Sequence, residues 1–387
     1  MDMPDDVLLE IFSWLPAKSI CKFRCVNKFF NTSTSKEIYF VQKQVHNSLS
    51  KDDDSCFFLQ PKWGQSYGAK HEFHHSSTKN LISGVSDKFL QFLEQYPACR
   101  IVDSSNGLIL GRSNIELFIC NPVTQSWIPI PTPDYLKKYP GADLKIVLEC
   151  SLEDSNDFML FLFEVQDDWA SQYHDVKFYS AKEAMWKGIE TSFFIGDRPL
   201  IFDTHVYHKK ALHFMSICYG FSREKPYIMA YSIEDGSSRM LRIPREAKAG
   251  SQHLTCQMRI YKWGKSASSN QSICLVRLRK KVFVVWVLTD YEANKWRKIL
   301  KIRVKAMGMK EEDPIAVTGF TVMNGEQLFF ATKEKVYGYG LRGENYMKLE
   351  EICEHGFGCH TTRFTAYSDT LCSCGDGAAT LPLPQQH

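Results

Sequence analysis

A pattern of paired strands recurs through most of the chain and limits the folds available to it. Each repeat is an aromatic-rich strand, a short polar turn, and a second strand that opens on Trp or Met, as in "VFVVWVLTDYEANKWRKIL". These opening residues lie 51 to 59 positions apart. They are Trp127, Trp186, Met240, Trp296 and Met347. Their regular recurrence predicts one structural unit repeated five times.

Each repeat also has two further strands upstream of the hairpin. The clearest case is 317–352, whose first turn, Asn324-Gly325, is a pair typical of tight β-hairpins. The same layout fits 101–130, 144–190, 204–243 and 254–302. A four-stranded unit cannot bury both faces alone, so repeats of about 50 residues predict a β-propeller.

Unassigned strands at the two ends of this region predict a sixth blade. The segments 55–63 and 361–374 are strand-like and flank the five units. A blade closed jointly by both would leave no open sheet edge. The sequence therefore predicts a propeller of six four-stranded blades over residues 55–376, followed by a disordered tail at 377–387.

The first 46 residues predict a separate, small, all-α domain of three helices, and the polar stretch "NSLSKDDD" predicts a linker at 47–54. In the first helix only Glu10 and Ser13 are polar between Val7 and Leu15, so these two should mark the strip left to solvent. So small a domain cannot cover the remaining apolar side chains, which predicts a partner. The alternative is that this helix packs on the propeller.

This segment resembles an F-box over about 28 consecutive positions. The family pattern is met at Met3-Pro4, Asp5-Asp6, 7–11, Leu15-Pro16, Ser19-Ile20, Phe23-Arg24 and 25–30, with departures at Met3, Ile20, Asn27 and Phe30. The segments "SSNGLIL" (104–110) and "CNPVTQSWIPIP" (120–131) resemble the F-box-associated, kelch-like propeller of plant F-box proteins.

The resemblance implies a substrate-recognition subunit of an SCF-type (Skp–cullin–F-box) ubiquitin ligase. The F-box would bind a Skp-family adaptor, which links it to cullin and RING subunits, and the propeller would hold a protein substrate. Such a subunit requires no catalytic residue and no cofactor. The expected adaptor-binding residues are Pro4, Leu8, Ile11, Leu15, Pro16, Ile20 and Val26.

Two further features concern partners. Residues 16–46 carry Lys18, Lys22, Arg24, Lys28, Lys36 and Lys43 against Glu37 alone, which suits an acidic partner or simply a solvated helix face. For the substrate, the insertions 167–175 and 261–270 carry three aromatic residues that could anchor an interface: Trp169, Tyr173 and Trp263.

Two histidine-containing motifs leave alternatives open. "HEFHH" matches the H-E-x-x-H zinc motif at His71, Glu72 and His75, although its surroundings predict a loop rather than the required helix. "CEHGFGCH" offers Cys353, His355, Cys359 and His360, with irregular spacing for structural zinc. A metal-dependent hydrolase, or another propeller enzyme with an incidental helical cap, is the alternative, as is an F-box scaffold acting outside a ligase.

Bulk composition narrows the partners and the compartment. The formal net charge is only +3, which does not indicate nucleic-acid binding. No apolar run reaches membrane-spanning length and no signal peptide is evident, so no membrane association is expected. The 13 cysteines show no even framework, which predicts reduced thiols in the cytoplasm or nucleus.

Overall fold

The structure is a computed structural model that describes residues 4–51, 53–62, 71–77, 85–96, 99–150, 157–165, 171–218, 225–309, 315–343 and 345–381. Within these ranges, no helix is long and apolar enough to cross a membrane.

The N-terminal region contains four helices rather than the expected three. They are α1 (Asp5–Phe12), α2 (Ala17–Phe23), α3 (Lys28–Lys36) and α4 (Ile38–Lys51). The expectation that the helical pattern breaks at residue 47 is wrong, because α4 continues through 47–51. Asn47 and Leu49 are both buried there and extend the packed face of the helix into the polar stretch.

The remaining described chain forms six sheets arranged as blades. Strands β1 (Cys56–Pro61) and β2 (Glu72–His75), which belong to the sixth blade, come first in the sequence and are followed by helix α5 (Asp87–Gln95). Blade 1 comprises β3 (Arg100–Ser105), β4 (Leu108–Ser113), β5 (Glu116–Asn121) and β6 (Ser126–Ile130), and is followed by α6 (Asp134–Lys138). Blade 2 comprises β7 (Ile146–Cys150), β8 (Phe158–Val165), β9 (Tyr173–Ser180) and β10 (Met185–Gly188), with β11 (Phe193–Phe194) also paired to β9.

The next three blades repeat the same order from the innermost to the outermost strand. Blade 3 comprises β12 (Leu200–His208), β13 (Ala211–Ser216), β14 (Ile228–Ser232) and β15 (Ser238–Leu241), and is followed by α7 (Arg245–Lys248). Blade 4 comprises β16 (Gln257–Trp263), β17 (Ser272–Arg279), β18 (Val282–Asp290) and β19 (Lys295–Arg303), and a 3-10 turn follows at Val304–Met307. Blade 5 comprises β20 (Gly319–Met323), β21 (Gln327–Ala331), β22 (Lys335–Gly340) and β23 (Leu349–Glu354). The predicted turn at Asn324-Gly325 joins β20 to β21 with positive φ at both residues.

The sixth blade is built from both ends of the propeller, as predicted. Strand β24 (Thr362–Tyr367) is its innermost strand and pairs antiparallel with β1, from Cys56 opposite Tyr367 to Pro61 opposite Thr362. Strand β2 pairs with the other edge of β1. The N-terminal and C-terminal strands therefore close the ring between blades 5 and 1.

Two of the recurring tryptophans join neighbouring blades. Trp186 in the outermost strand of blade 2 donates its indole N–H to the carbonyl of Pro131, just after blade 1, at 2.6 Å. Trp296 makes the equivalent bond from blade 4 to Arg242, just after blade 3, at 3.0 Å. Met240 and Met347 stand at matching points of the repeat but are half exposed, so they do not share this role.

The tail is partly ordered, contrary to prediction. Ala379–Thr380 forms strand β25, which pairs with Trp127 and Ser126 at the outer edge of blade 1. Leu381 is buried in the cluster beneath α5, so an apolar contact fixes this part of the chain. The rest of the predicted tail, 382–387, lies outside the described residues.

Candidate docking surfaces

Helix α1 exposes Val7 and Ile11, whereas its Leu9 and Phe12 pack against the buried apolar cluster. It begins after Pro4 and carries Asp5 and Asp6 in its first turn, where the helix dipole favours negative charge. None of its residues is buried. The exposed fractions are 45% for Val7, 49% for Ile11 and, just beyond the helix, 51% for Trp14.

The polar residues of this segment face the protein's own helix α4. The Ser13 hydroxyl is buried; it donates to the Glu10 carbonyl at 2.7 Å and accepts from the Asn47 amide at 2.8 Å. The Glu10 carboxylate pairs with Lys43, also on α4. The expectation that Ser13 lies on a solvent strip is therefore wrong, because α4 supplies its partner. Glu10 is itself exposed, as are Asp5 and Asp6, so the outer side of this segment carries acidic as well as apolar side chains.

Six of the seven predicted adaptor-binding residues are at least partly accessible. Pro4, Ile11, Pro16 and Val26 are exposed, and Leu8 and Leu15 are half-buried. Ile20 requires correction, because it is fully buried beside Ala17 in the core shared by α2 and α4. The Ile20 side chain therefore cannot contact an adaptor directly and can only pack beneath the residues that do.

Sequence reasoning missed several exposed apolar residues of the same domain. They are Val7, Trp14, Phe23, Ile38 and Tyr39, all at least 44% exposed. The signal that could have found Val7 and Trp14 is their spacing with Ile11, which puts all three on one face of a helical wheel, with Glu10 at its border and Ser13 well away from it. The partners of those two polar residues lie more than 30 positions away, so their contacts with α4 were not readable locally.

The N-terminal helical domain, whose sequence resembles an F-box, is fixed to the propeller by a group of four residues, termed the joint: Asp53, Lys262, Ser266 and Ser368. The buried Asp53 carboxylate accepts from Lys262 Nζ at 2.9 Å, from Ser368 Oγ at 3.0 Å and from the Ser266 backbone N–H. Burial alone would lower the pKa of Lys262, but the carboxylates of Asp53 and Asp54 raise it above its ordinary value. Lys262 thus stays charged and holds both acids at the junction of the two domains.

Helix α4 reinforces this attachment. The Gln44 carbonyl oxygen accepts from the backbone N–H of Leu371 at 3.0 Å, and Lys265 donates to the carbonyl of Lys51 at 2.6 Å. Val45 and Leu49 share one apolar cluster with Leu371 and blade residues. The helix that packs on the propeller is therefore α4, and α1 remains uncovered.

The propeller has two faces, and the F-box occupies one of them. The joint involves the loops that join the first and second strands of blades 4 and 5, because Asn324 also donates to the carbonyl of Asp53. The loops that join the second and third strands lie at the other ends of the strands and form the opposite face. That face includes the loop between β8 and β9.

The three predicted substrate-binding residues do not form one site. Tyr173 opens β9 on the face away from the F-box, is 47% exposed and packs its ring 5.2 Å from Phe194. Trp263 ends β16 on the F-box face, where Arg342 stacks over its ring at 5.0 Å. Trp169 lies outside the described residues. The Trp263 ring thus already contacts Arg342 of the same protein and lies on the other face from Tyr173. The prediction that groups these two residues in one substrate site is wrong.

The histidine motifs do not have the geometry of a zinc site. Glu72–His75 is strand β2, where residues four apart are separated by about 13 Å rather than sharing a helix turn. Glu72 accepts from His74 at 3.1 Å and from the Gly356 N–H at 2.9 Å. Buried His355 contacts the Thr332 carbonyl. In the described parts of the chain, no group of three or more His, Cys, Asp or Glu residues could hold a metal ion.

Comparison with protein families decides the classification. Residues 1–41 match the F-box domain, and residues 67–373 match the F-box protein At3g26010-like β-propeller. The chain belongs to this family of F-box propeller proteins. Members are typically non-catalytic adaptors, and F-box domains generally bind Skp-family adaptors. The matched family does not itself indicate kelch-like repeats, which stay a prediction.

Relatives among Arabidopsis thaliana F-box proteins match over different lengths. F-box protein At5g49610 is 23% identical, covering 90% of this chain and 91% of the relative. F-box protein At5g65850 is 24% identical over 77% and 70%, and F-box protein At5g41720 is 27% identical over 47% and 95%. A solved Bacteroides caccae protein of unknown function has a TM-score of 0.42 at 10% identity, covering 80% of this chain and 99% of that one.

Proposed function

We propose that this F-box protein is the substrate-recognition subunit of an SCF-type ubiquitin ligase. The observation that carries the proposal is the orientation of the first helical segment, in which Glu10 and Ser13 contact α4 while Val7, Ile11 and Trp14 are exposed. A small domain that exposes apolar side chains on a helix already supported from behind is suited to a protein partner. The family membership makes a Skp-family adaptor the expected partner.

The adaptor surface comprises the accessible members of the predicted set together with the exposed residues found in the structure. Ile11 and Trp14 are its proposed centre, because large, well-supported apolar side chains contribute most to interface affinity. The adaptor would in turn connect the chain to cullin and RING subunits. Among the basic residues, Lys43 already pairs with Glu10, and Arg24 already donates to Thr34, which reduces the charge available to an acidic partner.

The substrate surface is proposed on the propeller face away from the F-box. The joint and α4 cover part of the near face, whereas Tyr173, at the start of β9, lies on the far one. A protein bound there would leave α1 free for the adaptor. The chain would then act without catalytic residues of its own, by raising the local concentration of substrate lysines near the charged ubiquitin carrier.

The proposed site of action is the cytoplasm or the nucleus. All 13 cysteines are free thiols in the structure, and most of them are buried as small apolar groups. Such usage suits a reducing compartment. Fractionation of cells that produce the tagged chain tests this assignment.

Affinity purification with the proteasome blocked tests the function. The full chain is compared with the double variant Ile11→Asp, Trp14→Asp, which keeps α4 on the propeller. Adaptor, cullin and RING subunits should co-purify with the wild type and be lost from the variant, while a substrate should be captured by both. Equal recovery of the adaptor would contradict the proposal, and adaptor capture without cullin would favour a scaffold outside a ligase.

A further inference from the structure

The innermost strands of the six blades enclose a cavity of about 650 Å³ along the propeller axis. This volume lies in the range of sites that hold small molecules. Each blade contributes polar side chains to the wall. Examples, in blade order, are Asp103, Glu149, Thr204, Lys262, Thr321 and Thr365.

One end of the cavity has a floor formed by an irregular strand and a long side chain. The register of β12 shifts between Ile201 and His205, so Asp203 and Thr204 leave the ladder and line the cavity. Arg363 of blade 6, on the opposite side of the ring, donates to the carbonyl of Val102 and approaches the Asp203 carbonyl at 3.5 Å. Arg363 lies near the start of β24, so this floor is at the end away from the F-box.

Three cations act on the single carboxylate of the floor. Lys62 Nζ lies 2.6 Å from Asp203 Oδ2, and Arg363 and Arg259 also act on this carboxylate. Burial opposes the ionised form of Asp203, but the three cations outweigh it and hold the pKa of Asp203 at about 2. Lys62 and Arg259 do not line the cavity, so Arg363 is the cation of the floor that a ligand would meet, and it favours an anion.

The other end of the cavity has the opposite character. Asp103 and Glu149 share His205, whose Nε2 lies 3.8 Å and 3.1 Å from their carboxylate oxygens. Nearer the F-box, Asp53 and Asp54 share Lys262. Burial raises the pKa of Glu149 and of Asp54, yet two acids share each positive group, so the acidic side chains gather at this end of the cavity.

Three polar atoms of the lining residues lack a partner. Thr204 Oγ1, Thr365 Oγ1 and Arg363 Nε are buried and make no hydrogen bond to the described residues. The whole Thr365 residue is only 7% exposed. Buried polar groups are nearly always hydrogen-bonded, and all three of these can donate. Three spare donors, one of them on the Arg363 guanidinium, are the features of an anion receptor.

We propose that the cavity binds a small organic anion, with its carboxylate or phosphate head against Thr204, Arg363 and Thr365. Hydroxyl or amino groups at the other end of the ligand would face Asp103 and Glu149. This site is separate from the adaptor surface, and the inference does not depend on the function proposed above.

Isothermal titration calorimetry of the full chain tests the site with two probes, inorganic phosphate and acetate, against sodium chloride at matched ionic strength. At least one probe should bind saturably to the wild type. Phosphate alone would identify a phosphate head, and acetate alone a carboxylate head. Thr365→Val and Thr204→Val should each weaken that binding by tenfold or more.

The substitution of Thr365 separates binding from folding. Its hydroxyl has no partner in the described structure, so Thr365→Val should leave the thermal midpoint of the unliganded chain unchanged or higher. The matched control is Thr318→Val. Thr318 is also 7% exposed, but its hydroxyl bonds to Ala331, Thr332 and Thr362, away from the cavity.

Thr318→Val should therefore lower the thermal midpoint and leave anion affinity intact. The proposal is overturned if neither probe binds saturably above the chloride control. It is also overturned if both Thr365→Val and Thr204→Val bind the probe as tightly as the wild type.

Discussion

At the scale of single residues, Asp53 holds the end of the helical domain to the propeller. Its buried carboxylate receives three hydrogen bonds from the propeller side of the joint. Asp53→Asn would leave part of the positive charge on Lys262 uncompensated, although Asp54 remains. We expect a loss of about 3 kcal/mol in the free energy of unfolding, measured by urea denaturation.

The control for this substitution is Glu183→Gln. Glu183 pairs with Lys187 at 2.6 Å, a close distance, but both side chains are more than 40% exposed. Exposed ion pairs contribute little to stability, so the expected change in the free energy of unfolding is below about 0.5 kcal/mol. Equal losses in the two variants would show that the joint does not depend on Asp53.

Buried His213 predicts a pH dependence. Its Nδ1–H donates to the Val206 carbonyl at 3.0 Å, and its Nε2 accepts from the Tyr291 hydroxyl at 2.8 Å. Burial lowers the pKa of His213 to about 4, below its ordinary value of 6.5. The neutral ring therefore contributes stability that is complete above pH 6.5 and is lost as the pH falls toward 4.

At pH 5, His213 alone should lower the free energy of unfolding by roughly 2 kcal/mol relative to pH 7. Histidine ring ¹H–¹⁵N spectra check the cause, since His213 should remain neutral with its proton on Nδ1 at pH 5. A titration midpoint near 6.5 for this ring would refute the explanation.

Single residues also show where sequence reasoning stops. The amphipathic spacing of α1 was visible, but which side faced inward depended on Asn47 and Lys43, which are distant in sequence. Ile20 fits the family pattern of an adaptor-binding residue, yet the core of the domain buries it. Local patterns specify a helix and its faces, whereas tertiary contacts decide which face is free.

At the scale of elements, the blades were readable because their strands are short, alternating and separated by turns with strong conformational preferences. The predicted unit 254–302 corresponds to strands from Gln257 to Arg303, for example. The pairing of β1 with β24 in blade 6 was also predictable, although the two strands lie at opposite ends of the propeller sequence. Each would otherwise leave an unpaired sheet edge. The 47–51 stretch and β25 were not predictable, since each is held by contacts that its own composition does not reveal.

The closure of blade 6 can be tested by truncation. A chain that ends after Thr361 lacks β24, so the ring loses the innermost strand that pairs with β1. We expect it to be insoluble or to lack near-ultraviolet circular dichroism. A chain that ends after Gly375 loses only β25 and the residues beyond it, and should fold with a lower thermal midpoint. A cooperative unfolding transition in the shorter chain would contradict the closure.

At the scale of the whole molecule, the joint and α4 hold the propeller in one orientation relative to the F-box. The helix that meets the proposed adaptor and the loops proposed to meet the substrate therefore lie on different sides of the protein. An adaptor and a substrate would not compete for the same surface. The repeat in the sequence was enough to predict the propeller fold. Which face of the propeller meets the helical domain could be assigned only from the contacts of Asp53, which no sequence spacing indicates.

The most direct test of the central claim is calorimetric titration of a purified Skp-family adaptor into the full chain. The variant is Ile11→Ser, Trp14→Ser, and the control is Met185→Ser, Met240→Ser, whose side chains are similarly exposed on the propeller. The account predicts roughly 100-fold weaker binding by the variant, wild-type affinity for the control and unchanged thermal midpoints. Equal affinity of the wild type and the Ile11–Trp14 variant would contradict it.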